Sequence, residues 1–190
     1  NPETFDLWTE ILKSVNKSVL WLFETDQISS KNLKKEFKLR GLDPNRIIFA
    51  KKMPLADHLA RHQLADLSID SFPYTTGVTC SDALWTNLPV LTRIGNSFAS
   101  RMAASLLTAI DLPEMIVKTK KEYKDLAIEL AKDKNKLGQI KSKLKKNRIS
   151  SPLFNTELFK ENIEKLYLTM YQKYQSDLPI TNIEIKNKNN

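Results

Sequence analysis

A chain of 190 residues with 41% apolar and 8% aromatic content is long enough for one well-packed domain with appendages. It has no apolar run near the roughly 18 residues of a membrane span and no basic-then-apolar leader, and its single cysteine, Cys80, excludes an internal disulfide and a Cys-based zinc site, so a cytoplasmic protein without a membrane partner is expected. The net charge of +8 sits in one segment, because twelve Lys/Arg face four Asp/Glu between Lys118 and Arg148. Its lysines follow two helical patterns with few aromatics between them, so a solvated helical face is expected there in preference to a nucleic-acid surface.

In chain order, Phe5, Trp8, Ile11, Leu12 and Val15 recur at helical spacing behind Pro2. Ser18–Phe23 is an apolar run of strand length. Ser30–Arg40 reads as a helix with Gly41 where a left-handed cap belongs, and Arg46–Ala50 as a second strand. Pro54 opens a short helix to about Gln63, with the proline in its permitted first turn. Leu67–Ile69 is a third strand, Thr79–Thr86 a helix, Val90–Thr92 a fourth strand and Phe98–Ala109 a helix.

Glu114–Val117 adds an edge strand, and Lys120–Asp133 and Lys134–Arg148 are amphipathic helices. Ser150-Ser151-Pro152 breaks the run. A long helix from Asn155 to Tyr174 then carries Leu158, Phe159, Ile163, Leu166, Tyr167 and Met170 along one side. The domain is read as 1–175, followed by a polar tail at 176–190 that is expected to be weakly held.

Strands apolar on both faces alternate with helices at roughly twenty-residue intervals, as parallel strands covered on each side must. The pattern predicts an α/β fold, a doubly wound and mostly parallel sheet followed by C-terminal helices. Ligands in such sheets lie outside the carboxyl ends of the strands, here Ala50–Pro54, Asp70–Val78 and Thr92–Ser97.

The middle segment is the richest in chemistry. Tyr74-Thr75-Thr76-Gly77-Val78-Thr79 puts three threonine hydroxyls and a glycine at the mouth of a helix, where amides, hydroxyls and the positive helix end can share the oxygens of a phosphate. N-capping by Thr76 or Thr79 would use the same residues without a ligand. Asp82 reads either as an acid favoured by the helix dipole or as a carboxylate for ribose hydroxyls. His58 and Arg61, at i and i+3, share a face beside the crevice, suited to stacking on a base and donating to its carbonyls. His58 and His62 alone make a poor metal site, since Leu59 stands where glutamate would be needed and no third ligand suggests itself. Trp8, Trp21 and Trp85 read as core, and Cys80 as a small buried residue without a base partner.

Taken together, NRIIFA (45–50), QLADLSID (63–70), SDALWTNLPVLT (81–92), GNSFASRMAASLL (95–107) and RISSPLFNT (148–156) stand in one order that resembles the catalytic region of protein O-GlcNAc transferases, the O-GlcNAc transferase and SPINDLY-like family with its bacterial relatives. The resemblance covers Pro2 to Tyr174. It implies the carboxyl-terminal, donor-binding lobe of a GT-B glycosyltransferase with two Rossmann-like lobes.

By that resemblance His58 and Arg61 contact uracil, Thr76, Gly77, Val78 and Thr79 bind the diphosphate, and Asp82 holds the ribose. The helix from Asn155 helps join the lobes. The implied donor is UDP-GlcNAc, with GDP-fucose and UDP-glucose as alternatives, and the implied acceptor is a Ser/Thr hydroxyl of a protein, glycosylated with inversion. No metal or other cofactor is implied. The phosphate-binding lysine and the base residues are expected upstream of Asn1, together with the other lobe and tetratricopeptide repeats, which would make this chain an inactive fragment with no catalytic residue of its own. Animal members of the family have a histidine and two threonines where this chain reads Gly77-Val78-Thr79, and a lysine at Leu55. Those departures leave a non-catalytic binding or scaffold module as the competing reading.

Overall fold

Local signals in the chain set most element boundaries in the computed structural model, which describes residues 1–185. Asn1 caps α1 (Pro2–Ser14) by accepting from the Thr4 amide at 2.9 Å, and Asp26 caps α2 (Gln27–Leu39) through the Ser29 amide at 2.8 Å. Between them runs β1 (Leu20–Phe23). Gly41 takes φ +75° just past α2, the left-handed stop expected of it. A 3-10 turn at Pro44–Arg46 leads into β2 (Ile47–Ala50). The Arg46 guanidinium donates to the carbonyls of Leu12, Val15 and Ser18, locking the end of α1 and the approach to β1 against the start of β2.

Next come α3 (Leu55–Arg61), a 3-10 turn at His62–Leu64, β3 (Ser68–Ile69), α4 (Val78–Trp85), β4 (Val90–Arg93) and α5 (Met102–Ala109). Pro54 is the residue before α3 and not part of its first turn, a shift of one position. α5 begins at Met102, four residues later than the apolar spacing predicts. Phe98–Arg101 instead belongs to a turn in which the Ser100 hydroxyl donates to the Ser97 carbonyl. A 3-10 turn at Pro113–Met115 precedes β5 (Ile116–Val117), so the expected edge strand shortens to two residues.

The C-terminal helices are α6 (Lys120–Lys132), α7 (Lys134–Ser150) and α8 (Thr156–Gln175). Thr119 and Glu122 form a reciprocal capping box on α6. Of the expected tail at 176–190, residues 186–190 lie outside the described residues.

All strand pairings are parallel, in two separate ladders: β1 with β2, and β3 with β4 with β5. One buried cluster gathers Phe5, Leu12, Leu20, Phe37 and Ile47 around the first ladder. A larger one gathers Leu84, Leu91, Leu107, Ile110, Tyr123 and Leu144 around the second, where helices cover the strands. Full burial of each such side chain contributes roughly 1.5–3 kcal/mol. Trp8 and Ile69 touch both clusters. α8 buries none of its residues, and its apolar side chains Phe159, Tyr167 and Met170 stay exposed. No helix among the described residues is long and apolar enough to cross a membrane.

The basic segment of α6 and α7 is laced with exposed ion pairs. Lys120 meets Glu3, Lys124 meets Glu10 at 2.9 Å, Lys136 meets Glu129 at 2.7 Å and Lys143 meets Glu114 at 3.1 Å. That pattern is a solvated helical face anchoring to its neighbours.

Candidate functional site at the carboxyl ends of the strands

β3 ends at Ile69, and the residue after it organises the site. Asp70 is 2% exposed and accepts three hydrogen bonds: from the Ser71 amide at 2.8 Å, the Thr76 amide at 3.0 Å and the Thr92 hydroxyl of β4 at 2.6 Å. Burial holds its carboxyl above the usual carboxylate range, with those donors pulling the other way. Its own carbonyl accepts from the buried Tyr123 hydroxyl at 2.7 Å, which in turn accepts from the Trp8 indole at 3.3 Å.

Thr75 fixes the other end of the loop. Fully buried, it donates from both its amide and its hydroxyl to the Ala99 carbonyl, at 3.0 and 2.8 Å, while that hydroxyl accepts from the Ala103 amide at 3.3 Å. The loops after β3 and β4 are thereby one unit. Gly95 in the second loop is a close-approach position, since a Cβ there would lie 2.5 Å from the Ser100 hydroxyl.

Between these anchors the chain delivers Gly77 as the residue before α4, and no side chain caps that helix. The capping role considered for Thr76 and Thr79 is therefore absent. Thr76 precedes the cap with its amide tied to Asp70, and Thr79 already lies inside the first turn. The first amides of α4 have no partner within the helix and point away from its carboxyl end, the arrangement that favours an anion. Val78 and Thr79 are exposed there, while Thr76 and Gly77 are half-buried. Asp82 falls in the second turn, because α4 starts at Val78 and has no acid in its first turn, so the helix dipole does not explain it.

α3 supplies the second wall. The Arg61 guanidinium donates to the Lys51 carbonyl at 2.8 Å and to His58 Nδ1 at 2.6 Å, which leaves the proton of His58 on Nε2. The His58 and His62 rings meet edge to face with centroids 4.8 Å apart. His62 Nδ1 lies 3.1 Å from the Thr86 hydroxyl, which donates to the Asp82 carbonyl at 2.8 Å. Burial, with smaller contributions from His58 and Arg61, holds the His62 imidazole below its ordinary value.

The chain His58–His62–Thr86–Asp82 thus joins α3 to α4. These contacts set α3 against the carboxyl end of α4, and the cavity that His58 and Arg61 line includes none of Thr76, Gly77, Val78, Thr79 and Asp82, which lie along α4 from its opposite end. Among the described residues no group of three or more His, Cys, Asp or Glu converges as metal ligands.

Cys80 is buried, and burial pushes its thiol up to about 12, which removes it as a nucleophile. Trp85 is not core: it is 49% exposed, against the Phe154 ring at 5.1 Å and under the Arg148 guanidinium at 5.4 Å. Trp21 is half-buried beneath Arg61, whose guanidinium carbon lies 5.9 Å from the ring centre. Thr75, expected to offer its hydroxyl to a phosphate, spends it on the Ala99 carbonyl instead, and Asp70, Thr92 and Tyr123, which also hold the loop, do not stand out in the sequence. For Asp70 and Thr92 the one signal was a polar side chain at the end of an otherwise apolar strand, and Tyr123 carried none.

A model of glycosyl transferase family 41 matches residues 1–163. The UDP-N-acetylglucosamine–peptide N-acetylglucosaminyltransferase of Caenorhabditis elegans is 38% identical over 184 residues, covering 96% of this chain and 16% of that protein. A probable UDP-N-acetylglucosamine–peptide N-acetylglucosaminyltransferase of Arabidopsis thaliana is 33% identical over 178 residues, covering 93% of this chain and 18% of its own length. Among solved structures, a mutant of the O-GlcNAc transferase of Thermobaculum terrenum superposes with a TM-score of 0.86 at 31% identity, covering 91% of this chain and 34% of that one. The chain therefore spans less than a fifth of the length of these two curated relatives.

Proposed function

Because the chain belongs to glycosyl transferase family 41, we propose that it is the donor-binding lobe of a protein glycosyltransferase and that its crevice holds the nucleotide of a sugar donor. The observation that carries this reading is the uncapped start of α4, placed at the carboxyl end of β3 by a loop pinned through Asp70 and Thr75. The donor is UDP-GlcNAc, the molecule its relatives' names contain. Its diphosphate lies against the amides of Val78 and Thr79, with the Thr76 and Thr79 hydroxyls on its oxygens and Gly77 close to the backbone path. Its uracil lies toward His58 and Arg61, and its ribose hydroxyls reach Asp82. A chain with one buried cysteine suits a reducing compartment, and we place it in the cytoplasm.

The reaction is an inverting displacement. A serine or threonine hydroxyl oxygen of the acceptor protein bonds to the anomeric carbon as the bond from that carbon to the diphosphate breaks. The departing diphosphate takes the electron pair, and the hydroxyl proton passes to a base supplied from outside these residues. This lobe contributes position and charge stabilisation. The α4 amides are already oriented, so they meet the growing negative charge without reorganising. His58 offers Nε2–H to a base carbonyl while Arg61 holds the ring in place.

Calorimetric titration of the complete catalytic region with UDP, GDP and UDP-GlcNAc tests the assignment. UDP should bind in preference to GDP, and His58→Ala or Asp82→Ala should each weaken UDP by about 1–3 kcal/mol, the usual loss when a polar partner is left unpaired. A preference for GDP would move the donor to GDP-fucose, and unchanged affinity in both variants would remove the site. Binding without sugar transfer to any protein hydroxyl would leave the non-catalytic module.

A further inference from the structure

The outer edge of β2 is bare. The strand pairs only with β1, and the Ala50 carbonyl accepts from the Glu24 amide at 2.9 Å. Alternation therefore turns Ile48 and Ala50 toward β1 and leaves the amides and carbonyls of Ile47 and Phe49 on the far side, without partners among the described residues. A groove of ≈ 740 Å³ runs along that edge, lined by Ile47, Ile48 and Phe49 of β2 and by Lys31, Lys34, Lys35 and Lys38 of α2, with Lys51 just past the strand.

The four α2 lysines recur at i, i+3, i+4 and i+7, so they share one face of the helix. All five lysines are exposed, and none forms an ion pair among the described residues. The neighbouring acids are committed elsewhere: Asp26 caps α2, Glu36 meets Arg40, and Asp43 caps the Pro44–Arg46 turn. Glu24 is the one acid lining the groove. The lysines of α6 and α7 differ, since their ion pairs tie them to neighbouring elements.

We propose that this edge takes an extended acidic peptide of a partner protein as an added β-strand. Nucleotide binding at α4 plays no part in it. The peptide backbone bonds to Ile47 and Phe49, and its carboxylates, at alternate positions, meet the α2 lysines. Lys31 to Lys38 span about 10 Å at the helical rise. Alternate residues of a strand stand about 7 Å apart, so two or three carboxylates fall along that row. The residues between them lie beside Ile48, 45% exposed on the opposite face of β2, and are apolar. A blunted edge carries lysine or proline within the strand, whereas β2 reads Ile-Ile-Phe-Ala and its lysines stand on the helix beside it. A nucleic acid or an anionic membrane would engage the lysines and leave Phe49 without a strand partner. A second copy pairing edge to edge would oppose two lysine rows.

Fluorescence titration of the full-length protein with a synthetic peptide alternating Glu and Val over about eight residues, followed by hydrogen exchange, tests this. The peptide should bind, and the Ile47 and Phe49 amides should then exchange about tenfold or more slowly, with Ile48 and Ala50 unchanged. Lys34→Glu combined with Lys35→Glu should weaken binding about tenfold or more, and so should methylating the peptide's backbone nitrogens. Both lysines are exposed on α2, so the double variant should unfold at the parent's urea midpoint. No binding of the peptide overturns the proposal, as does binding that leaves Ile47 and Phe49 exchange unchanged. Equal binding by the double variant, or by the methylated peptide, overturns it too. So does a DNA duplex or a phosphatidylserine vesicle that binds through the same lysines as tightly as the peptide while those two amides stay fast.

Discussion

Gly77 sits at φ −106°, an ordinary value for any residue, and a Cβ there would meet only the flexible end of Met102 at 3.4 Å. A side chain thus has room at this position. Gly77→Ala is therefore expected to cost at most about 1 kcal/mol of stability, the difference between the two residues as helix caps. It should lower nucleotide affinity tenfold or more, about 1.4 kcal/mol, by placing a methyl beside the open amides. Thermal unfolding and calorimetry on the same sample separate the two effects, and a variant that binds UDP like the parent would show that the amides are not the anion site. Asp70 makes the opposite case. Asp70→Ala strands the Ser71 amide, the Thr76 amide and the Thr92 hydroxyl together, for a loss of roughly 3 kcal/mol in urea unfolding. Asp70→Asn should recover most of it, since its amide oxygen still accepts from the two backbone donors and its NH2 can donate to Thr92.

Among the elements, α8 and α5 look alike in sequence and differ in the structure. Both carry apolar stripes, yet Ala103, Ala104 and Leu107 of α5 are buried while Phe159 of α8 is 66% exposed. Leu107→Ala should cost roughly 2–5 kcal/mol and Phe159→Ser less than about 0.5 kcal/mol, measured as urea midpoints of this chain. A large loss in Phe159→Ser would mean that α8 packs on the domain. The contrast marks what sequence can carry. Gly41, Pro152 and the strand runs at Leu20–Phe23 and Ile47–Ala50 act through local sterics and period, and they are legible. The start of α5 is not, because the Phe98–Arg101 turn is fixed by Ser100 crossing to Gly95 and by Ala99 receiving Thr75 from another loop. The same holds for the site: His58, Arg61 and Asp82 stand out as candidates by type and spacing, while the Asp70 and Thr75 clamps arise from pairings distant in the chain.

Over the whole molecule, the ionisable groups held away from their ordinary values set the pH range of stability. His62 is held below 6.5 by burial and by His58 and Arg61, so just under pH 6.5 the unfolded chain binds a proton that the fold refuses. Its contribution is complete above 6.5 and is lost as pH falls. Glu122 and Asp26, held low by the amides and hydroxyls they cap, act in the same direction nearer their ordinary 4.5 and 3.8. Asp70 is raised by burial and opposes them, its contribution being greatest at low pH and lost as pH rises through its folded value. On the alkaline side burial raises Cys80 from 9.0 to about 12 and Tyr123 above its ordinary 10.0. The unfolded chain releases those protons first, so stability is intact below pH 9 and falls above it, by about 1.4 kcal/mol per pH unit for each group engaged. Urea unfolding across pH 5 to 11 should show a plateau between about 6.5 and 9 with a decline on each side. In Cys80→Ala the overall level drops with the small cavity, and the alkaline decline should begin near pH 10, where Tyr123 takes over, with Lys121, raised by its bond to Asp125, joining at higher pH. A decline that still begins at pH 9 in that variant would show that the thiol does not set the alkaline limit.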